Sequence, residues 1–533
     1  MTTSLRSTLD VSDATYLGNR DAQEAALAEL ERELDRARDG GGKKYADRHR
    51  QRGRFLARER IELLVDQDSP FLEFSTLAAW GTDFNVGASI VTGLGVVSGV
   101  ECVIIAHDPT VRGGTMNPYT LRKNLRALAI AKQNRLPVIN LVESGGADLP
   151  TQSELFVNAG KIFQGLTELS SMGVPTLALV FGNSTAGGAY VPGMCDYAVL
   201  VDKQAKVFLG GPPLVKMATG EESDDEELGG ADMHSRVSGL GDHFAVDERD
   251  AIRIGRRIMS EINWRKLGPG PSMPADAPLY DEDELLGIAA ADFRVPVDPR
   301  EVIARVVDGS RFGEYKPSYG TALTTGWASI HGYPVGILTN SRGILFSEEA
   351  QKGTEFILLA NQLDIPLIFL QNCTGFMVGK VYEQGGIIKD GAKMINAVTN
   401  SKVPHFTINM GASFGAGNYG MSGRAFDPRF MFSWVNAKLA VMGAQQLAGV
   451  LSIVGRQAAE AAGRDFDVEA DETRKKQIEE QIEAESHSFF TSARVYDDGV
   501  IDPRDTRTVL GMCLSAAHSQ VVEGRRGFGV FRM

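Results

Sequence analysis

Cysteine is scarce and scattered in this chain of 533 residues. The four cysteines, at positions 102, 195, 373 and 513, form no C-x-x-C pair, and the histidines form neither H-x-x-x-H nor H-E-x-x-H. Disulfide frameworks and zinc sites depend on such spacings. We therefore expect buried thiols in a reducing compartment and no metal in this chain.

Long hydrophobic runs are also missing. No window contains 18 uncharged apolar residues, so the sequence predicts no membrane span. The opening residues, MTTSLRSTLDVSD, lack the apolar segment of a signal peptide. We expect a cytoplasmic protein that does not act at a membrane.

Positive charge is in deficit, with 55 basic against 68 acidic residues and a net charge of -13. A nucleic-acid-binding protein concentrates basic residues in a stripe or patch, and no nucleic-acid partner is predicted here. The one basic run, 48–60, is interpreted as a solvated helical face or a subunit contact. A composition of 43% hydrophobic and 23% charged residues excludes wholesale disorder.

Buried strands alternate with helical patterns in the first half. The apolar runs LPVINLVES, from Leu136, and VPTLALVFG, from Val174, have the continuous hydrophobicity of strands that are covered on both faces. Helices are predicted over residues 21–39, 120–133 and 153–171. This alternation predicts an α/β fold with helices on both faces of a sheet.

The second half repeats the first at a nearly constant spacing. Two glycine pairs are 233 residues apart, and six later pairs keep a spacing of 229: Gly93/Gly326, Gly99/Gly332, Pro137/Pro366, Pro175/Pro404, Gly182/Gly411, Ser184/Ser413, Gly188/Gly417 and Tyr190/Tyr419. We predict two similar domains in tandem, at residues 21–270 and 280–525. The exposed linker between them is predicted near residues 267–285, which are rich in proline, glycine and acidic residues.

Each half contains a glycine-rich turn after an apolar strand. It reads GNSTAGGAYVPG from Gly182 and GASFGAGNYGMSG from Gly411. Small residues let a ligand approach the backbone, and the first amides of a following helix can bind an oxyanion. Close packing of helix on strand also explains a single glycine turn. Two copies at equivalent places favour an anion-binding role.

Other catalytic motifs are weaker. GASFG, from Gly411, fits the G-x-S-x-G elbow of hydrolases, but its counterpart GNSTA does not, and only His487 and His518 follow it. The absence of G-x-x-x-x-G-K-[ST] removes the usual ATP site. A serine hydrolase remains a minor alternative, as does a hydratase or isomerase of the crotonase type.

The chain resembles the carboxyltransferase (β) subunits of biotin-dependent acyl-CoA carboxylases over nearly its whole length, most of all the methylcrotonyl-CoA and geranyl-CoA branch. The segments that carry this resemblance are VESGGADLPTQ from Val142, STAGGAYVPGMCD from Ser184, FLGGPPLVKMATGEE from Phe208, GILFSEEAQKGTEFI from Gly343 and GFMVGKVYEQGGIIKDGAKM from Gly375. The resemblance implies two crotonase-like domains. It also implies transfer of a carboxyl group from carboxybiotin, carried by a biotin carboxylase and carrier (α) subunit, to an acyl-CoA.

The resemblance also implies roles for the two turns. Gly187 and Gly188 would stabilise the enolate of the acyl-CoA thioester, while Ala416 and Gly417 would stabilise the biotin enolate. No side-chain acid, base or nucleophile is then required. Both turns would meet at one site in the interface of a homodimer, within a larger hetero-oligomer.

Four further small residues are implied to bind the cofactors: Gly145, Gly146, Ala147 and Gly415. One segment, FVNAGKIFQGLTELS from Phe156, is shorter than in the methylcrotonyl-CoA branch and lacks its Pro-Asp-Arg-Asp run. Because this segment lies near the acyl group in the family, several substrates stay open. A branched or unsaturated acyl-CoA is the first expectation; propionyl-CoA, acetyl-CoA and longer chains are the alternatives.

Overall fold

Two similar mixed sheets form the frame of the protein. The structure, a computed structural model, describes residues 3–293, 295–527 and 529–533. The strands of the first sheet are β1 Leu72–Phe74, β2 Ile90–Val97, β3 Val100–His107, β4 Val138–Ser144, β5 Thr176–Thr185, β6 Tyr197–Val201, β7 Lys206–Phe208 and β8 His243–Ala245. The later strands are β9 Gly313–Tyr315, β10 Leu323–Ile330, β11 Tyr333–Asn340, β12 Ile344–Leu345, β13 Leu367–Cys373, β14 Gly375–Phe376, β15 His405–Phe414, β16 Phe430–Trp434, β17 Lys438–Ala440 and β18 Val500–Ile501.

The two sheets share one topology. The first has the order β1-β2-β3-β4-β5-β6-β8, with β7 beside the end of β5. The second has the order β9-β10-β11-β13-β15-β16-β18, with β17 beside the end of β15. In each, an antiparallel hairpin leads into parallel strands. The strands β12 and β14 form a separate pair.

Helices cover these sheets. The α-helices are α1 Ala14–Asp39, α2 Lys43–Gln51, α3 Ala57–Leu64, α4 Pro118–Asn134, α5 Gln152–Ser171, α6 Tyr190–Met194, α7 Pro212–Thr219, α8 Asp225–Gly229, α9 Ala231–Met233, α10 Glu248–Glu261, α11 Leu285–Ile288, α12 Pro299–Val306, α13 Ser347–Leu363, α14 Lys380–Gly385, α15 Ile387–Asn400, α16 Gly415–Gly420, α17 Ala444–Ala461, α18 Val468–Ser486, α19 Ser488–Ala493 and α20 Thr506–Ala517. Short 3-10 helices include Ala186–Ala189, directly after β5. The α/β expectation is confirmed.

The predicted helices are present, with small shifts at their ends. The helix expected to begin at Asp21 begins at Ala14, because the Asp13 carboxylate accepts a hydrogen bond from the Thr15 amide at 2.8 Å and caps the helix. In the same way Asn117 caps α4. Periodicity in the sequence predicts the part of a helix that has an apolar stripe. A polar first turn has no such stripe, so only the capping residue indicates where the helix begins.

The repeat extends to buried side-chain contacts. The ammonium group of Lys123 donates to the Ile90 carbonyl at 2.7 Å, and that of Lys352 donates to the Leu323 carbonyl at 2.7 Å. Burial lowers the pKa of both lysines to about 8. Equal contacts at equivalent positions show two copies of one framework. Residues 21–270 and 280–525 are retained as predicted domain boundaries.

The two halves pack against each other around a shared core. Apolar residues of α4 and β2–β4 lie in the same buried cluster as residues of β10, β11, β15, β16 and α20. Arg126, in the first half, pairs with the buried carboxylate of Asp498 in the second at 2.6 Å, and also donates to the Arg429 carbonyl at 3.0 Å. The position of each glycine turn is therefore fixed relative to the whole chain.

Candidate active site

Each glycine-rich turn begins where a central parallel strand ends. The strand β5 ends at Thr185 and leads into the 3-10 helix, whereas β15 ends at Phe414 and leads directly into α16. Ala186 and Gly415 open the two turns with φ angles of 55° and 52°. This left-handed conformation turns the chain sharply, so that the next amides lie at the carboxyl edge of the sheet. The predicted strand-turn-helix geometry is present in both halves.

The first turn is open to a ligand. Gly187 is exposed and Gly188 is half-buried. A Cβ atom built on Gly188 would have Ser184 Oγ, at 3.9 Å, as its nearest neighbour, and one on Gly187 would lie 3.6 Å from the Phe163 ring. The chain itself therefore does not need glycine at these positions for packing. Space left beside amides at a strand end suits a bound carbonyl oxygen.

The second turn is more tightly packed than the first. Ala416 is exposed, but Gly417 is buried. A Cβ atom on Gly417 would lie 2.5 Å from Cys373 Sγ and 2.9 Å from the Gly375 Cα atom. Close packing therefore explains the glycine at 417, while Ala416 lies at the surface.

The loop after β4 lies against the first turn. The Gly145 amide donates to the Gly113 carbonyl at 3.0 Å, and the Gly146 amide donates to Ser144 Oγ at 3.2 Å. Gly146 has a φ of 95°, and a Cβ there would lie 3.4 Å from the Thr185 carbonyl oxygen. Ala147 is exposed. Three of the four residues expected at the cofactor site thus lie together beside the first turn.

The fourth, Gly415, belongs to the second turn. Its Cβ position lies 3.0 Å from the carbonyl oxygen of Val441, just beyond β17. The elements that contact the first turn most, α6, β5 and β7, are all in the first half. Those that contact α16 most, β13–β15 and α15, are all in the second. The two sets of site residues form two separate clusters within one chain.

An arginine-lined pocket near the first cluster was missed by the sequence reasoning. This cavity of about 420 Å³ is lined by Arg48, Arg52 and Arg112, together with His49 and the Gly113 backbone. Arg48 and Arg52 make no ion pair within the described part of the chain. Cations that lack partners in a concave pocket attract an anion. The basic run at 48–60 is the available signal, and its interpretation as a solvated face or a subunit contact does not predict this pocket.

A buried ionic network supports the strand behind the first turn. Arg60, fully buried, pairs with Glu143 at 2.7 Å and with Glu248 at 2.8 Å. Arg54 also pairs with Glu143, and burial lowers the pKa of the nearby His49. The Glu143 carboxylate is thus engaged by two guanidinium groups. It is not a free general base of the kind that a hydratase or isomerase requires.

Ser413, the serine of the hydrolase-like motif, is fully buried. Its hydroxyl donates to Gln371 at 2.6 Å and accepts from Asn418 at 2.7 Å. A nucleophilic serine needs an exposed oxygen and a histidine partner. The contacts of Ser413 are those of a structural residue.

The comparison with known proteins decides the family. The family model for the carboxyl transferase domain matches residues 48–530. The chain belongs to the carboxyltransferase family. It is the carboxyltransferase component of a biotin-dependent acyl-CoA carboxylase, as the resemblance implied.

Individual relatives cover the whole chain. A probable biotin-dependent acyl-coenzyme A carboxylase β2 subunit of Mycobacterium tuberculosis is 63% identical over 99% of this chain and 100% of its own. A mitochondrial methylcrotonoyl-CoA carboxylase β chain of Dictyostelium discoideum is 50% identical over 99% of this chain and 91% of its own. The crystal structure of the P. aeruginosa geranyl-CoA carboxylase β subunit superposes with a TM-score of 0.90, at 40% identity and full coverage of both chains. The crotonase-like two-domain fold is confirmed.

The part of the chain that the structure describes contains no candidate membrane span and no candidate metal centre. No helix there has the length and apolarity to cross a bilayer. Nor do the histidine, cysteine, aspartate and glutamate side chains of residues 3–293, 295–527 and 529–533 form a group of three suited to a metal ion.

Proposed function

We propose that the first turn binds the thioester of an acyl-CoA and the second binds biotin. The observation that carries this proposal is the pair of exposed turns at equivalent strand ends, with Gly187, Gly188 and Ala416 open to ligands. Carboxybiotin, when bound, supplies the carboxyl group. The amides of Gly187 and Gly188 stabilise negative charge on the thioester oxygen, and those of Ala416 and Gly417 stabilise it on the biotin ureido oxygen.

The phosphates of coenzyme A fit the arginine-lined pocket. Its floor includes Gly113, whose carbonyl holds the Gly145 amide, so the loop 145–147 connects the pocket with the first turn. Arg48→Gln together with Arg52→Gln is expected to raise KM for acyl-CoA about tenfold and leave kcat nearly unchanged, since two phosphate contacts are lost. An unchanged KM would contradict this placement of the phosphates.

The acyl group is proposed to lie against Phe163 and Tyr190. Their rings pack edge to face with centroids 5.7 Å apart, directly beside Gly187. A short, branched or unsaturated chain such as 3-methylcrotonyl suits such an apolar wall, and the similarity to methylcrotonoyl-CoA carboxylase β chains supports this choice. Assays with 3-methylcrotonyl-, geranyl-, propionyl- and acetyl-CoA decide it. Highest kcat/KM for propionyl- or acetyl-CoA would contradict the branched assignment.

We further propose that each site combines the first half of one chain with the second half of another. Both halves have exposed apolar side chains: Phe156 and Val157 on α5, Val441, whose carbonyl oxygen lies beside Gly415, and Ile453 and Val454 on α17. Such patches are typical of subunit interfaces. A biotin-bearing α subunit completes the assembly, and the cytoplasmic location stays a prediction from the sequence.

A direct test uses free biotin in place of the partner. The purified protein is supplied with the carboxylated acyl-CoA and free biotin, and formation of acyl-CoA and carboxybiotin is measured. The carbon–carboxyl bond of the acyl-CoA breaks, a proton from the biotin ureido nitrogen ends on that carbon, and the carboxyl group ends on the nitrogen. We expect biotin-dependent turnover. Its complete absence in a folded, assembled protein would contradict the proposed function.

A further inference from the structure

A buried chain of hydrogen bonds lies beneath the second glycine turn. Asn418 Nδ2 donates to Ser413 Oγ at 2.7 Å, and the Ser413 hydroxyl donates to Gln371 Oε1 at 2.6 Å. Gln371 Nε2 then donates to the Met421 carbonyl at 2.5 Å. Gln371 and Ser413 are fully buried, and Asn418 is 7% exposed. Leaving any one of these buried groups without its partner would therefore destabilise the fold.

These four residues connect the elements that position the turn. Gln371 lies in β13 and Ser413 in β15, two residues before Gly415 opens the turn. Asn418 lies within α16 and Met421 follows its last residue. The hydrogen bonds thus attach α16 to the strands β13 and β15. The attached residues lie before and after Ala416 and Gly417 in the chain. They set the direction in which the amides of those two residues point.

The first turn lacks this chain. At the equivalent positions, 229 residues earlier, stand Val142, Ser184 and Ala189. Val142 and Ala189 belong to one buried apolar cluster, and the Ser184 hydroxyl donates a hydrogen bond to the Gly188 carbonyl at 2.9 Å. The same framework thus folds with apolar residues in these places. Folding alone does not explain why the second half has three connected polar groups there.

We propose that Gln371, Ser413 and Asn418 are positioning residues for the biotin turn. This inference rests on the proposed function, in which Ala416 and Gly417 bind the ureido oxygen. Biotin must enter and leave at every turnover, so its site cannot rely on strong ground-state binding to order the backbone. If the amides of Ala416 and Gly417 already point towards the ureido oxygen, they need no reorganisation when negative charge develops there. The acyl-CoA turn has a larger ligand to order it.

The test transplants the apolar set of the first half into the second. In the double variant Gln371→Val, Asn418→Ala, both polar partners of Ser413 are removed together. The buried Ser413 hydroxyl and the Met421 carbonyl then lose their side-chain partners, so the variant is assayed only where thermal melts show that it is folded. We expect amide hydrogen exchange in the ligand-free protein, measured in peptides that cover residues 414–420, to become at least tenfold faster. Peptides covering residues 184–190 report the first turn and should not change.

Kinetics separate a positioning role from general damage. With free biotin as acceptor, we expect kcat to fall about 10–100-fold, because a small displacement of aimed donors has effects of this size. KM for the acyl-CoA should stay within twofold. The control is Asn361→Ala, which removes another buried amide of the second half, one that donates to Ser401 and accepts from the Lys402 amide. It should lower thermal stability without this loss of turnover.

A conservative variant gives a pH signature. In Asn418→Asp the introduced carboxyl group can donate to Ser413 only while protonated, and burial raises its pKa. Activity relative to wild type should therefore recover as the pH is lowered and fall as it is raised. At pH values where thermal melts show the variant to be folded, a role in bulk packing alone would give no such dependence, because the two side chains have the same shape.

The outcomes are distinct. Unchanged hydrogen exchange and unchanged kcat in the folded double variant would overturn the positioning role, and so would equal changes in both turns. If wild type itself shows no biotin-dependent turnover, the proposed function fails and this inference fails with it. Wild-type turnover with an unaffected variant contradicts the positioning role alone.

Discussion

The two glycine turns have one topology but different interiors. The first is supported by apolar residues, with Val142 and Ala189 in its core, and both glycines are free of contacts that require a glycine. The second has polar residues inside and a glycine, Gly417, that packs against Cys373 and Gly375. Duplication therefore conserved the strand-to-helix geometry that exposes amides, while the residues beneath it diverged. This is what two sites for different ligands require.

The largest expected effect is on the open turn. Gly188→Val places a side chain where nothing of this chain lies, so we expect a loss of about 10²–10³-fold in turnover from blocked oxyanion donors. Thermal stability should change little, because the nearest atom to a Cβ at Gly188 is Ser184 Oγ, at 3.9 Å. The control Gly18→Val, on α1, has no neighbour within 4 Å and should also change little. Steady-state kinetics and thermal melts of both variants measure this. Full activity of Gly188→Val would refute the role of the first turn.

The matching change in the second turn should act through folding. Gly417→Val inserts a side chain 2.5 Å from Cys373 Sγ, and overpacking of this kind costs about 1–3 kcal/mol. The expected result is a lower melting temperature than for Gly188→Val. Equal stability of the two variants would show that the packing difference between the turns is unimportant.

A smaller contrast is expected between the equivalent serines. Ser413→Ala leaves buried Gln371 and Asn418 without their partner and should cost about 1–3 kcal/mol, whereas Ser184→Ala removes one bond and should cost about 1 kcal/mol. Denaturant unfolding of both gives the difference. Neither change should abolish turnover, and complete loss in a folded Ser413→Ala protein would revive the hydrolase interpretation.

The smallest expected effect is on the stability of the protein at acidic pH. His107 is buried and its pKa is lowered to about 4 by burial, while the equivalent residue of the second half is Asn340. Above pH 6.5 this histidine is neutral in both folded and unfolded states; below it the unfolded chain binds the proton more tightly, so stability is lost as the pH falls towards 4. His107→Asn should therefore gain about 1 kcal/mol relative to wild type between pH 7 and pH 5.5. Unfolding curves at the two pH values check this, and parallel curves would contradict it.

Much of the architecture was visible in the sequence because glycine and proline positions constrain the backbone directly. The constant spacing from Pro137/Pro366 to Tyr190/Tyr419 predicted two copies of one strand-turn-helix unit, and both are present. The roles proposed for the turn residues come from the resemblance, because periodicity alone left packing and anion binding open.

The remaining features depend on contacts between distant segments. Because Arg60 belongs to a basic run, the sequence predicts a position at the surface. In the structure it is fully buried, and it forms ion pairs with Glu143 and Glu248, which lie in two other elements. Likewise, nothing in the spacing of Gln371 and Ser413, 42 residues apart, shows that their side chains meet. Such partners are set by tertiary packing, which a single sequence does not display.

In the proposed assembly, one site combines the first turn of one chain with the second turn of another. The most direct measurement mixes two inactive variants, Gly188→Val and Ala416→Trp; the second change uses an exposed position, since Gly417 cannot accept a side chain without a clash. In a purified mixed dimer, one site contains both lesions and the other contains none. The shared-site arrangement predicts recovery of about half the wild-type activity. Persistent inactivity in verified mixed dimers would show that both turns of a site come from one chain.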